Sequence, residues 1–274
     1  MQTYDDLIFD VGAHIGNDTD FYLRKGYRVV AVEAVPGLVQ QCKTRFANEI
    51  ASGQLILEEV AISDAAEKGE ISFFINPEYS EWGTTDKERV KRNTRFGSDQ
   101  VEKIRVPAIE ATELFRRHGV PHYMKVDIEG ADRSCLHAVV ALDTPPRFFS
   151  IESDKLEYDA VCEDLRLLQK AGYRRFAVVQ QAGYGFSTIN TRTRHGEDLS
   201  YQFQPSVSGP FGDDLPSEKW VTLEEAEREY RRVFREYRWF GDNQPRLIRQ
   251  IGIVLGRLRN AALPGWYDTH ARLD

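Results

Sequence analysis

The chain has 274 residues, room for one domain with a full core plus appendages, and at 41% hydrophobic and 29% charged residues it has the composition of a globular protein. A formal net charge of −7 argues against a large phosphate-binding surface, so nucleic acid is not expected as the principal partner. Cys42, Cys135 and Cys162 show neither CxxC nor metal-ligand spacing and read as buried thiols in a reducing compartment.

Taken in chain order, the acidic start MQTYDD leads straight into a strand and has no pattern of a signal or transit peptide. Short, nearly all-apolar runs at 7–11, 28–32, 55–61, 123–126 and 148–151 read as strands buried on both faces, as in a parallel sheet. Helical patterns lie between them. The spacing predicts helices over 19–25 (stopped by Gly26), 36–50 (opened by Pro36), 112–118 (stopped by Gly119), 132–142 and 158–171 (stopped by Gly172). This alternation implies an α/β fold with a doubly wound, mostly parallel sheet.

Two further strands are expected at 70–75 and 101–109, flanking a polar excursion at 76–100 that carries Trp82, Arg89, Arg92, Asn93 and Arg95. A loop of that length is more often functional than filler, and Trp82, Arg92 and Asn93 suit a polar or sugar-like substrate. Strand-like runs follow at 173–180 and 186–191. Residues 196–219 then read as irregular, before two helices at 222–240 and 246–259. The first opens on a capping box, Thr222 with Glu225. The second carries Leu247, Ile248, Ile251, Val254, Leu255 and Leu258 at helical spacing, a stripe expected to serve as core or subunit contact. The expected organisation is a core over 1–195 and a C-terminal extension over 196–274. No uncharged run reaches the ~18 residues of a membrane span, so the protein is expected to be cytoplasmic, with no membrane partner.

The stretch LIFDVGAHIGNDTD at 7–20 combines a strand, a glycine turn and a helix start, and Glu33 closes the next strand 21 residues after Gly12. That interval is close to the roughly 20 residues between a glycine turn and a carboxylate that binds ribose hydroxyls. Gly12 and Gly16 are expected to let the backbone approach a nucleoside-bearing ligand. A pyrophosphate-binding G-x-G-x-x-G would need glycines where His14 and Asn17 stand, and no Gly-Lys-Ser/Thr follows any strand. A ribose and adenine without phosphates fits better, which points to S-adenosylmethionine, with Asp10, Gly12 and the start of the helix after Asn17 around its methionine part, and His14 and Gly16 also among the cofactor-binding residues. Two other readings stand beside it: an NAD-dependent oxidoreductase, and a nucleoside-binding protein without turnover.

Three ordered blocks, DVGAHIGN at 10–17 with Glu33, VAISD at 60–64 and KVDIEGAD at 125–132, make the chain resemble the FkbM family of S-adenosylmethionine-dependent methyltransferases. The resemblance spans about 9–154. It implies a class I methyltransferase fold, Rossmann-like, with a seven-stranded sheet holding one antiparallel strand. It also implies methyl transfer to a hydroxyl of a sugar or secondary metabolite, with Ser63 and Asp64 near the adenine.

In-line methyl transfer needs an acceptor oxygen close to the methyl carbon and a route for the hydroxyl proton. Asp127, ending a strand at the ligand-binding edge, is assigned to the cofactor–substrate boundary, and Glu129 to the cofactor's ammonium or the acceptor. Asp127, Glu152 and Lys125 are the main candidates for proton acceptor, with His14 and His270 behind them. Asp127, Glu152 and Asp154 could converge on Mg²⁺, or Glu152 and Asp154 could simply cap the next helix. Trp266, Tyr267 and His270 would either reach the site or anchor the tail.

Overall fold

The computed structural model describes residues 1–67, 69–76, 83–85, 90, 100–128, 130–153, 157–241, 244–258, 263 and 265–274. Among them the fold is α/β, with a mostly parallel seven-stranded sheet in the order β3-β2-β1-β7-β8-β12-β9. The chain divides into two compact units, 1–147 with 192–199, and 148–191 with 200–274.

The first unit contains β1 (Thr3–Val11), β2 (Arg28–Val32), β3 (Leu55–Glu58) and β7 (Val120–Val126), all parallel. Their apolar runs are buried on both faces, with Ile8, Phe9, Val11, Val30 and Met124 fully enclosed. Register is what positions the site. Val11 lies level with Val32 on one side and Val126 on the other, so Gly12 leaves the sheet between Glu33 and Asp127.

Around these strands run α1 (Asn17–Arg24), α2 (Pro36–Arg45), α3 (Ala47–Ala51), α4 (Ala111–His118) and α5 (Asp132–Val140). The predicted helix over 36–50 is broken at Phe46, which takes φ −112° and ψ 30° between α2 and α3. The predicted strand over 55–61 is likewise two pieces. After β3 the chain leaves the main sheet, and β4 (Ala61–Ile62) pairs with β6 (Glu102–Ile109), which also pairs antiparallel with β5 (Glu70–Ile75). Ala61, Phe73, Val106 and Ala108 give this small sheet its own core. The polar excursion between β5 and β6, with Trp82, Arg89, Arg92, Asn93 and Arg95, lies outside the described residues.

The second unit holds β8 (Phe148–Glu152), α6 (Tyr158–Lys170), β9 (Arg175–Gln180), α7 (Leu223–Phe240), α8 (Arg246–Leu258) and β12 (Tyr267–Arg272). β12 is the antiparallel strand, inserted between β8 and β9. The Thr222–Glu225 capping box opens α7 as the sequence requires, each side chain meeting the other residue's backbone N–H. Tyr158 of α6 stacks edge-on against Phe234 of α7, ring centroids 5.7 Å apart. Between these elements, β10 (Thr188–Arg192) and β11 (Asp198–Gln202) form a two-stranded hairpin, so the stretch read as irregular begins with a strand.

Candidate functional site

The turn after β1 is held by hydrogen bonds in a fixed pattern. The N–H groups of Gly12 and Ala13 both donate to the Val32 carbonyl at 3.0 Å, and the Asp127 N–H donates to the Val11 carbonyl at 2.9 Å. Gly12 has φ +90°, and a Cβ there would fall on the Asp127 carbonyl, whose carbon would be 2.7 Å away. Gly16 has φ +79°, and a Cβ there would run into the Phe46 ring. Room at these two glycines is therefore taken by the protein itself. Their task is to let the end of β7 and the α2–α3 junction close on the turn, not to leave a bare cradle for a ligand.

Glu33 is buried at the head of β2, and both its carboxylate oxygens are used by the turn. Oε2 accepts from the His14 N–H and Oε1 from the Val35 N–H, each at 2.8 Å. Burial pushes its carboxyl up to about 7, against the opposing effect of these backbone donors. Each oxygen keeps a second lone pair, so Glu33 can brace the turn and still accept from a diol. His14 itself sits at φ 53° with its side chain part-exposed, and its carbonyl accepts from the Cys42 thiol at 3.2 Å. Burial raises that thiol to about 12, so Cys42 is an inert core group.

Beneath the turn lies a buried ionic cluster. Lys125 Nζ stands 3.1 Å from Asp18, 3.5 Å from Asp10 and 3.8 Å from Asp127. Burial works against the charge on Lys125, but Asp18, Asp10 and Asp127 outweigh it and hold the ammonium well above its ordinary pKa. Held in this way, Lys125 keeps its proton, which argues against it as the proton acceptor. Asp10 is fully enclosed. Its Oδ2 accepts from the Thr19 hydroxyl at 2.6 Å, its Oδ1 has no hydrogen-bond partner beyond the ion pair, and burial raises its carboxyl. Of the three carboxylates only Asp127 reaches solvent, with its side chain 33% exposed.

α1 begins on Gly16 in the left-handed region, with no side-chain cap. A helix start of this kind presents backbone N–H groups and the positive end of the dipole. At its first residue, Asn17 Oδ1 accepts from the Arg45 guanidinium at 2.8 Å. Ser63 is buried after β4 and turns the chain by accepting from the Ala65 N–H, while Asp64 accepts from the Ser134 hydroxyl of α5 at 2.6 Å.

Two residues that organise this unit carried no role in the sequence reading. Asp18 supplies the shortest contact to Lys125, and its signal was an acid in the first turn of an otherwise apolar-faced helix. Asp132 latches the segment after β7, accepting from the Ile128 and Gly130 N–H groups at 3.0 and 2.9 Å. The run Gly-Ala-Asp before a helix was the available cue.

The remaining candidates are placed differently. Glu129 and Asp154 lie outside the described residues, as do Trp82, Arg92 and Asn93. Glu152 ends β8 in the second unit, paired in register with Asp268 of β12. Among the described residues no group of three or more His, Cys, Asp or Glu side chains is arranged to hold a metal ion. His270 is enclosed within the second unit's strands, and burial alone pulls its pKa down to about 3. It stays neutral and enclosed in β12, between β8 and β9. Tyr267 is buried beside it, and Trp266 is exposed.

The family described as the methyltransferase FkbM domain matches residues 10–175, more than half of the chain. No curated protein matches it. Among solved structures, the chain is similar to a precorrin-6y C5,15-methyltransferase from Geobacter metallireducens (12% identity, TM-score 0.38, covering 73% of this chain and 77% of that one). Another is an S-adenosylmethionine-dependent methyltransferase from Geobacter sulfurreducens in complex with S-adenosyl-L-homocysteine (11% identity, TM-score 0.37, 100% and 86% covered). These likenesses are distant.

Proposed function

The chain belongs to the FkbM methyltransferase family, and on that premise we propose that it moves a methyl group from S-adenosylmethionine to a hydroxyl oxygen of a sugar or secondary metabolite. The observation that carries this reading is the levelling of three features at the carboxyl ends of adjacent parallel strands. The glycine turn leaves β1 between Glu33, which closes β2, and Asp127, which closes β7.

The chemistry of these groups fits the cofactor. Glu33 retains lone pairs for the ribose hydroxyls, and the uncapped start of α1 suits the carboxylate of the methionine part. S-adenosylmethionine, when bound, supplies the electrophilic methyl group. The chain's own residues then have two tasks, alignment and proton removal. Asp127, the only solvent-reaching acid of the Lys125 cluster, is our candidate to take the hydroxyl proton. A carboxylate is too weak a base to ionise an alcohol beforehand. It is strong enough once the oxygen's lone pair is bonding to carbon, because the oxygen then bears positive charge.

The test is transfer of isotope-labelled methyl from S-adenosylmethionine to a panel of hydroxylated acceptors, with the product's linkage read by mass spectrometry. A methyl ether is expected, and Asp127→Ala should lower kcat by roughly 100-fold or more. Label on nitrogen or carbon would remove the oxygen assignment. Full turnover by the Asp127 variant would remove the proton-acceptor assignment.

A further inference from the structure

The apolar residues of α8 divide between two faces. Ile248, Gly252, Leu255 and Gly256 turn inward, and at Gly252 the contact is so close that a Cβ would meet the Phe240 side chain at 2.8 Å. The opposite stripe, at the helical spacing 247–251–254, is uncovered: Leu247 is 69% exposed, Ile251 47% and Val254 56%. Ile253 is 49% exposed on another flank of the helix. Scattered single exposures need no explanation, but three aliphatic side chains along one stripe of a helix form a patch.

Charge identifies what such a patch would meet. Over residues 228–259 the sequence has nine arginines and only three carboxylates, in a chain whose net charge is −7. Within α8 itself there are arginines at 246, 249 and 257 and no acid at all. A second copy docked through α8 would bring together two segments that carry arginines and no acid. A nucleic acid would use the arginines but leave the aliphatic stripe in water. A helix that is aliphatic on one side and arginine-rich in sequence matches the interface of an anionic lipid bilayer, where it would lie flat. None of the described helices is long and apolar enough to cross a membrane.

We propose that α8 forms a peripheral docking surface for anionic membranes. This departs from the expectation of no membrane partner. It is independent of the methyl-transfer reading and would place the enzyme where amphiphilic acceptors concentrate.

The experiment is co-sedimentation of the full chain with phosphatidylglycerol–phosphatidylcholine vesicles and with phosphatidylcholine alone, at low and high salt. Binding to the anionic vesicles is expected to weaken with salt, and the variant Leu247→Ser/Ile251→Ser/Val254→Ser should bind at least ~10-fold less tightly, given the apolar area removed. All three side chains are exposed, so circular dichroism should show that variant folded. A second variant, Ile251→Trp, should show a fluorescence blue shift only with anionic vesicles. Absence of vesicle binding would overturn the proposal, as would equal binding by the triple-serine variant. So would a dimer, or binding to a homopolymeric RNA, that the triple-serine substitution abolishes in a protein that ignores vesicles.

Discussion

Lys125→Met should destabilise the protein by about 3–5 kcal/mol, the scale for removing one partner of a buried ion pair. The substitution conserves length and apolar stem, so the loss comes from charge. Asp10 and Asp18, both buried, would be left without their cation. The pH dependence tells this apart from a packing defect. Without the lysine, burial would raise the Asp10 carboxyl still further above its unfolded value. A group shifted upward weakens the fold as pH rises through that interval. The deficit relative to the parent should therefore be larger at about pH 8 than at about pH 5, where Asp10 can take up a proton. Urea denaturation at the two pH values measures it. A deficit under about 1 kcal/mol, or one that does not change with pH, would show that the cluster is not an ionic core.

Gly12→Ala should be as damaging for a steric reason. The residue would have to hold φ +90° while its Cβ displaced the Asp127 carbonyl, and neither the strand nor the turn has slack there. A loss above ~4 kcal/mol is expected, enough to leave little soluble protein. Gly37→Ala is the matched control. It lies in α2 with nothing within 4 Å of its added Cβ, so it should be neutral or stabilising by up to about 1 kcal/mol. Thermal melts of the two variants side by side decide the matter. A Gly12→Ala protein melting within about 2 °C of the parent would contradict the close approach of β7 to the turn.

Much of the α/β pattern was legible because both-face burial writes itself as continuous apolar runs, as in Leu7–Val11, which forms the inner part of β1. The pairing of the Gly12 turn with Glu33 was legible because chain spacing across one strand–helix–strand unit is nearly fixed. What could not be read is what tertiary packing decides. The apolar period of 36–50 runs on unbroken, yet the helix breaks at Phe46, where the ring fills the space left by Gly16. β12 was hidden for the opposite reason, since YDTHAR looks like surface. Asp268 and Thr269 are buried with partners: Asp268 accepts from Gln181 at 2.6 Å, and the Thr269 hydroxyl lies 2.7 Å from that of Tyr230. Pairing of that kind joins residues far apart in sequence and leaves no local signature. The ion cluster was half visible. Asp10, Lys125 and Asp127 stood in recognisable motifs, but the partner nearest the lysine, Asp18, did not.

The most direct test of the account is calorimetric titration of the purified protein with S-adenosylmethionine, S-adenosylhomocysteine and NAD⁺ across a pH series. Both adenosyl compounds should bind and NAD⁺ should not. Because burial places the Glu33 carboxyl at about 7, and the ionised form is the better acceptor of ribose hydroxyls, affinity should rise as pH passes upward through that value. Glu33→Gln should lose about 1–3 kcal/mol of binding at the high end and flatten the profile. Binding of NAD⁺ alone would contradict the methyl-donor reading. Adenosyl binding with the same affinity and pH profile in parent and Glu33→Gln would contradict the role given to Glu33.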